Sequence, residues 1–199
     1  MSKDRKGWQR WIPAWVWRVG PLMVIGLFLA GIVFWGGFNW AMEATNTEAF
    51  CISCHEMRST VYEELKETVH FSNRSGVRAS CPDCHVPKGW FPKMERKIAA
   101  TFNELPKHLL GTMNTTEKFE QQRYELAFRV WTRLKENDSL PCRNCHDWQS
   151  MAQKNQTEKA WDRHERGKRE GLTCIDCHSG IAHREPEGEK GPRDIVIKK

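Results

Sequence analysis

The sequence predicts a mostly α-helical fold, with one membrane-spanning helix near the N-terminus followed by a polar domain. Three observations predict it. From Gly20 to Met42 the chain runs 23 residues without a charge, and about 20 apolar residues suffice for a helix to cross the hydrocarbon core. Beyond that run, the alternation typical of half-buried strands is scarce, whereas helical spacing is present. All eight cysteines fall in a Cys-x-x-Cys-His motif that occurs four times, the arrangement that attaches a c-type haem.

The first element is a basic tail. Residues 1–20 hold Lys3, Arg5, Lys6, Arg10 and Arg18 against Asp4, so +4 of the net +6 lies there. The remainder is nearly neutral, which argues against a nucleic-acid partner. Residues 1–19 read as a short cytoplasmic tail, since basic residues ahead of a span stay inside, and Pro13 argues against an uninterrupted helix there. Trp8, Trp11, Trp15 and Trp17 precede the span and Trp40 closes it, as aromatic rings at the two interfaces do. A cleaved signal peptide would have an apolar region of about 7–15 residues ending in an Ala-x-Ala-like site. Trp40-Ala41-Met42-Glu43-Ala44 does not match that site, so residues 20–42 are expected to be an uncleaved anchor in the bilayer. Gly26, Gly31, Gly36 and Gly37 either form a helix-packing face or are neutral in lipid, which leaves a homo-oligomer open.

Residues 43–199 then face the periplasm of a bacterial inner membrane, where thioether-linked haems are matured. The four motifs begin at Cys51-Ile52-Ser53-Cys54-His55, Cys81-Pro82-Asp83-Cys84-His85, Cys142-Arg143-Asn144-Cys145-His146 and Cys174-Ile175-Asp176-Cys177-His178. Disulfides or zinc would use the cysteines, yet neither requires a histidine directly after each second cysteine. The chemistry expected is four covalent haem c groups, and the fold a multihaem cytochrome c. The clearest helix runs from Asn114 to about Asn137: Asn114 stands three residues before Glu117 as in a capping box, and Phe119, Ala127, Trp131 and Leu134 recur at helical spacing. Much of the rest is short, polar and punctuated by Gly and Pro. A domain so poor in apolar side chains needs the porphyrins as its core.

The domain also repeats itself. Ten residues separate His70 from Cys81-x-Asp83-Cys84-His85, and nine separate His164 from Cys174-x-Asp176-Cys177-His178. The first two motifs are 30 residues apart and the last two 32. This is the pattern of two two-haem units. A low-spin electron-transfer haem takes a strong sixth ligand. Outside the motifs the histidines are His70, His108, His164 and His183. The repeat singles out His70 and His164, and His183 follows His178 closely. His108 lacks such a context and reads as a surface or packing residue. One haem is left short, and at the first motif Met57 either offers a thioether beside His55 or merely fills a gap.

Phe34-Trp35-Gly36-Gly37-Phe38-Asn39, the stretch from Cys51 to Met57, Asn73-Arg74-Ser75-Gly76-Val77-Arg78-Ala79 leading into Cys81-Pro82-Asp83-Cys84-His85-Val86-Pro87, and Cys174 to His183 together resemble the NapC/NirT family of membrane-anchored tetrahaem quinol dehydrogenases, most of all its NapC branch. The resemblance implies Met57 on the first haem in place of His55, His85 with His183 on the second, His146 with His70 on the third, and His178 with His164 on the fourth. It also implies a quinol site at Lys97 and Glu104, where the family often has Asp for the second. Oxidising a quinol releases two protons with two electrons, so Glu104 would take a proton and Lys97 would donate to a quinol oxygen. Alternatively Lys93, Arg96 and Lys97 simply meet anionic headgroups.

The function implied is oxidation of membrane quinol, menaquinol or ubiquinol, with electrons delivered to a periplasmic reductase, by resemblance a nitrate reductase. Two rivals stand beside it: a passive anchored electron-transfer module without its own quinol site, and a reductase of a small nitrogen oxyanion at the open haem.

Overall fold

The structure is a computed structural model that describes residues 14–197, with side chains from Gly20 onward. The basic tail through Pro13, including Trp8 and Trp11, lies outside the described residues, as do the side chains of Trp15 and Trp17. The chain divides into two units, one ending at Thr45 and the other beginning at Asn46.

Among the described residues, the first unit consists of one helix, α1 (Ala14–Ala44). Its stretch Gly20–Ala44 is long and apolar enough to cross a membrane; at 1.5 Å per residue those 25 residues reach about 37 Å, against a hydrocarbon core of about 30 Å. Leu22 to Trp35 present exposed apolar side chains, which water would not tolerate in such number. Asn39 is the polar exception, and its amide donates to the Trp35 carbonyl at 2.8 Å, which satisfies part of its donor capacity within the helix itself.

The second unit contains α2 (Glu48–Cys51), α3 (His55–Ser59), α4 (Val61–Lys66), α5 (Cys81–His85), α6 (Trp90–Asn103), α7 (Leu105–Leu109), α8 (Thr116–Glu136), α9 (Leu140–Arg143) and α10 (Glu158–Glu170), with short 3-10 turns between and after them. Among the described residues there is no strand, so the mostly α class holds. Side chains supply little core: the buried hydrophobics are Leu65, Met113, Phe119, Trp131, Ile175 and Ile195.

The long helix α8 is the scaffold. Its N-cap is Thr115, which accepts from the Lys118 amide at 3.3 Å. This corrects the expectation of Asn114, whose side chain instead accepts from Lys118 Nζ. One face of α8 puts Trp131 against Ile175 and Ile195, with Tyr124, Ala127, Phe128 and Leu134 around them. A buried guanidinium joins α8 to α4: Arg123 donates to both oxygens of Glu64 at 2.6 and 3.0 Å and to Glu120 at 2.6 and 2.8 Å. Such bidentate pairing satisfies a charge that burial alone would penalise. At the other end Lys135 donates to Asp176 at 2.8 Å and to the Pro192 carbonyl at 3.0 Å. The C-terminal strap is held by Tyr124, which bonds the backbone of Lys190. Gly188 passes so close that a Cβ there would stand 2.0 Å from the Tyr124 ring.

Candidate redox site

Each Cys-x-x-Cys-His motif sits at a short helical turn, which puts the two cysteines and the histidine within one turn of chain. Two of the four turns share a capping device. Asp83 accepts from the Ser80 amide at 2.9 Å and hydroxyl at 2.6 Å. Asp176 does the same for Thr173, at 2.8 and 3.0 Å. In both cases the residue before the first cysteine and the aspartate inside the motif form a reciprocal cap. The repeated Cys-x-Asp-Cys-His pattern therefore has a local cause. The Ser80 hydroxyl holds the Asp83 carboxyl below its ordinary range, against a smaller opposing effect of burial. For Asp176, burial pushes upward, but Lys135 and the two Thr173 donors outweigh it and the carboxyl again ends low.

The motifs touch in chain order. Helix α2, which ends at Cys51, packs on α5, which opens at Cys81, and the neighbouring thiol brings Cys51 down to about 7 and pushes Cys81 up. The Ile175 amide donates to Ser139 Oγ at 3.2 Å, which sets the third motif beside the fourth, and Cys142 brings Cys174 down to about 7. Between these pairs, α5 meets α9, and Cys84 lies near enough to Cys145 to feel its charge, a lesser effect than the burial that raises Cys84. All eight cysteines are free.

Three motif histidines each face a histidine from elsewhere in the chain. The ring centroids of His85 and His183 are 6.1 Å apart at 26°. Those of His146 and His70 are 6.3 Å apart at 84°, and those of His178 and His164 are 6.0 Å apart at 38°. Two imidazoles bound to one metal from opposite sides, each at about 2.0–2.1 Å, put their centroids roughly 6 Å apart. These three pairs fit haem iron. Two of these histidines are also held at the outer nitrogen, as metal-bound imidazoles usually are: His164 Nδ1 lies 2.6 Å from Gln156 Oε1, and His70 Nδ1 lies 3.4 Å from the Ile181 carbonyl. Burial pushes His85 down to about 3, helped by the charge of His183, and burial also lowers His183 and His178. Neutral imidazoles are the form that binds a metal.

The first motif is arranged differently. His55 opens α3, and Met57, half-buried, is two residues further along it. Between them Glu56 is only 2 % exposed. Its Oε1 accepts from His108 Nδ1 at 2.6 Å, and its Oε2 stands 3.7 Å from His55 Nε2. The link between Glu56 and His108 spans 52 positions and has no local signature in the sequence.

Lys97 lies on α6 and Glu104 at its C-cap. Seven residues apart, they fall on nearly the same side of the helix axis and about 10 Å apart along it. Lys97 Nζ stands 5.9 Å from the Phe50 ring centroid, and its charge reaches Cys51. Glu104 is paired with Arg96, at 2.7 and 3.0 Å. Arg96 thus enters the site as a residue that the sequence had suggested only as part of a basic cluster.

The profile of the NapC/NirT cytochrome c family, N-terminal region, matches residues 14–188. The chain is 54 % identical over 176 residues to the denitrification system component NirT of Stutzerimonas stutzeri, covering 88 % of this chain and 87 % of that protein. It is 53 % identical over 191 residues to the cytochrome c-type protein NapC of Paracoccus pantotrophus, covering 89 % and 80 %. With the NapC of Escherichia coli the identity is 51 % over 180 residues, covering 90 % and 89 %. No solved structure matches.

Proposed function

The chain belongs to the NapC/NirT cytochrome c family, and on that premise we propose that it oxidises membrane quinol and passes the electrons one at a time through four haem c groups to a periplasmic reductase. As a family member it is a haem-bearing electron-transfer protein. The finer reading is that the haems number four and are held by Cys51 and Cys54, Cys81 and Cys84, Cys142 and Cys145, and Cys174 and Cys177. Axial ligands are His85 with His183, His146 with His70, His178 with His164, and Met57 or His55 on the first. The N-terminus is cytoplasmic, residues 20–42 cross the inner membrane, and residues 43–199 are periplasmic. The reductase served is a nitrate reductase, since relatives are named NapC and one is a denitrification component.

The observation that carries this reading is the order of packing: α2, ending at Cys51, on α5, opening at Cys81; α5 on α9, which holds Cys142; and Ser139, just before α9, bonded to Ile175 of the fourth motif. Four redox groups bound there form a single file. Bound haem supplies one-electron chemistry, which lets a two-electron donor be drained in steps. The chain's own residues do the rest. Glu104 takes a quinol proton on a carboxylate oxygen, Arg96 keeps that carboxylate oriented, and Lys97 donates from Nζ to a quinol oxygen. Access from lipid is supported by α6, where Phe91, Ile98 and Phe102 share one side and are 78 %, 53 % and 75 % exposed.

The test is quinol-driven reduction of the purified haems in wild type, Lys97→Ala and Glu104→Gln. Slowing in both variants, with full reduction by dithionite, supports a quinol site here. Unchanged rates in both would leave the passive electron-transfer module.

A further inference from the structure

Of the three histidines that face a motif histidine from elsewhere in the chain, His164 and His70 each have a partner at Nδ1. His183 Nδ1 is buried and makes no hydrogen bond. Val61, which opens α4, lies near that ring but outside hydrogen-bonding geometry. No bond to the ring therefore fixes it, and its place opposite His85 comes from the backbone that carries it.

That backbone is fastened at the next residue. The Arg184 amide donates to Glu64 Oε2 at 2.9 Å, a link across 120 positions of chain. The Arg184 carbonyl faces Arg123 Nη1 at 3.5 Å, at the outer edge of bonding distance, and the Arg184 guanidinium donates to Glu120 at 2.7 Å. The loop is closed on itself as well: the Ser179 hydroxyl donates to Glu185 at 2.7 Å, across a turn in which Gly180 has a φ of 66°. Behind the loop stands the pair of Glu64 on α4 and Arg123 on α8, with Arg123 only 6 % exposed. A pair that merely tied α4 to α8 would be complete without a backbone donor. Here the oxygen that takes Arg123 Nη1 at 3.0 Å takes the Arg184 amide too, and charge-assisted bonds of this kind are the stronger and more directional ones.

We infer that Glu64 and Arg123 form a latch that holds the loop 179–185 against α4 and α8 and so keeps His183 on the second haem. Both are positioning residues that act through the chain. The inference rests on His183 being that haem's sixth ligand. Its consequence concerns local opening: a ligand on a fastened loop returns to the metal before an outside molecule can take its place, and on a freed loop it spends more time away.

The test is carbon monoxide binding to the haem-loaded, detergent-solubilised protein reduced with dithionite, followed by stopped-flow absorbance. His183→Ala is expected to add a fast phase with the amplitude of one haem per chain, and that amplitude identifies the second haem. In Glu64→Ala, and in Arg123→Met, which keeps the aliphatic stem, uptake at that haem is expected to run roughly 10-fold faster than in wild type or more, the equilibrium worth of one hydrogen bond to a charged group. Adding Glu64→Ala to His183→Ala leaves the fast phase unchanged, because the latch has no other route to that haem. A rate equal to wild type in either single variant overturns the latch and leaves His183 as ligand. Equal acceleration at the haem held by His164, identified by His164→Ala, is general loosening and overturns it as well. A His183→Ala protein without the added phase removes the ligand reading and the latch with it.

Discussion

In the proposed function, single side chains hold each haem and take the protons of the quinol. His183 stands opposite His85 with ring centroids 6.1 Å apart, so His183→Ala is expected to convert one haem in four to a high-spin form. Magnetic circular dichroism reads that change directly. Glu104→Gln keeps the shape of the side chain and removes the base. Quinol-driven reduction should slow roughly 100-fold, the usual scale for losing a general base, while reduction by dithionite is unaffected; stopped-flow absorbance distinguishes the two. The haem-binding cysteines were legible in the sequence because covalent attachment demands a fixed local spacing. His108 beside Glu56 was not, since that contact joins α7 to α3 and no nearby residue announces their packing, and Arg96 reaches Glu104 over eight positions of α6, beyond the three- and four-residue spacing at which helix side chains pair.

At the scale of elements, the caps and the exposed helix faces matter most. Asp176 closes the fourth motif's turn and receives Lys135 from α8, so Asp176→Asn should cost about 1.5–3 kcal/mol, as expected for hydrogen bonds to a buried charge. The carboxyl of Asp176 is depressed in the folded protein. Its contribution is therefore fully present above the ordinary carboxylate value and is lost as pH falls through the depressed one. The difference in melting temperature between wild type and Asp176→Asn should narrow as the solution is taken below that ordinary value. On α6, Phe102→Asp should slow quinol-driven reduction several-fold in proteoliposomes and leave dithionite reduction alone, if that face meets lipid. Helix α8 was legible from its apolar spacing. Its cap shifted from Asn114 to Thr115 because both residues can cap, and only the backbone's entry angle selects between them.

For the whole molecule, the shortage of apolar side chains sets the terms. Six buried hydrophobics among the described residues cannot offset the chain entropy of a domain this long. Protein made without haem attachment should show no cooperative thermal transition by circular dichroism. The helical class and the apolar span were readable because period and length are properties of the chain itself. The single file of motifs was not, because it depends on which turn rests on which.

The contact between Cys51 and Cys81, and its counterpart between Cys142 and Cys174, bears on how the protein is made. Two sulfhydryls brought so near each other in an oxidising compartment would invite a cross-link that forecloses attachment. A polypeptide that stays loose until its porphyrins are bonded never presents those sulfurs to one another bare. If its shape depends on the cofactor as predicted above, the same dependence guards it against a premature, dead-end oxidation.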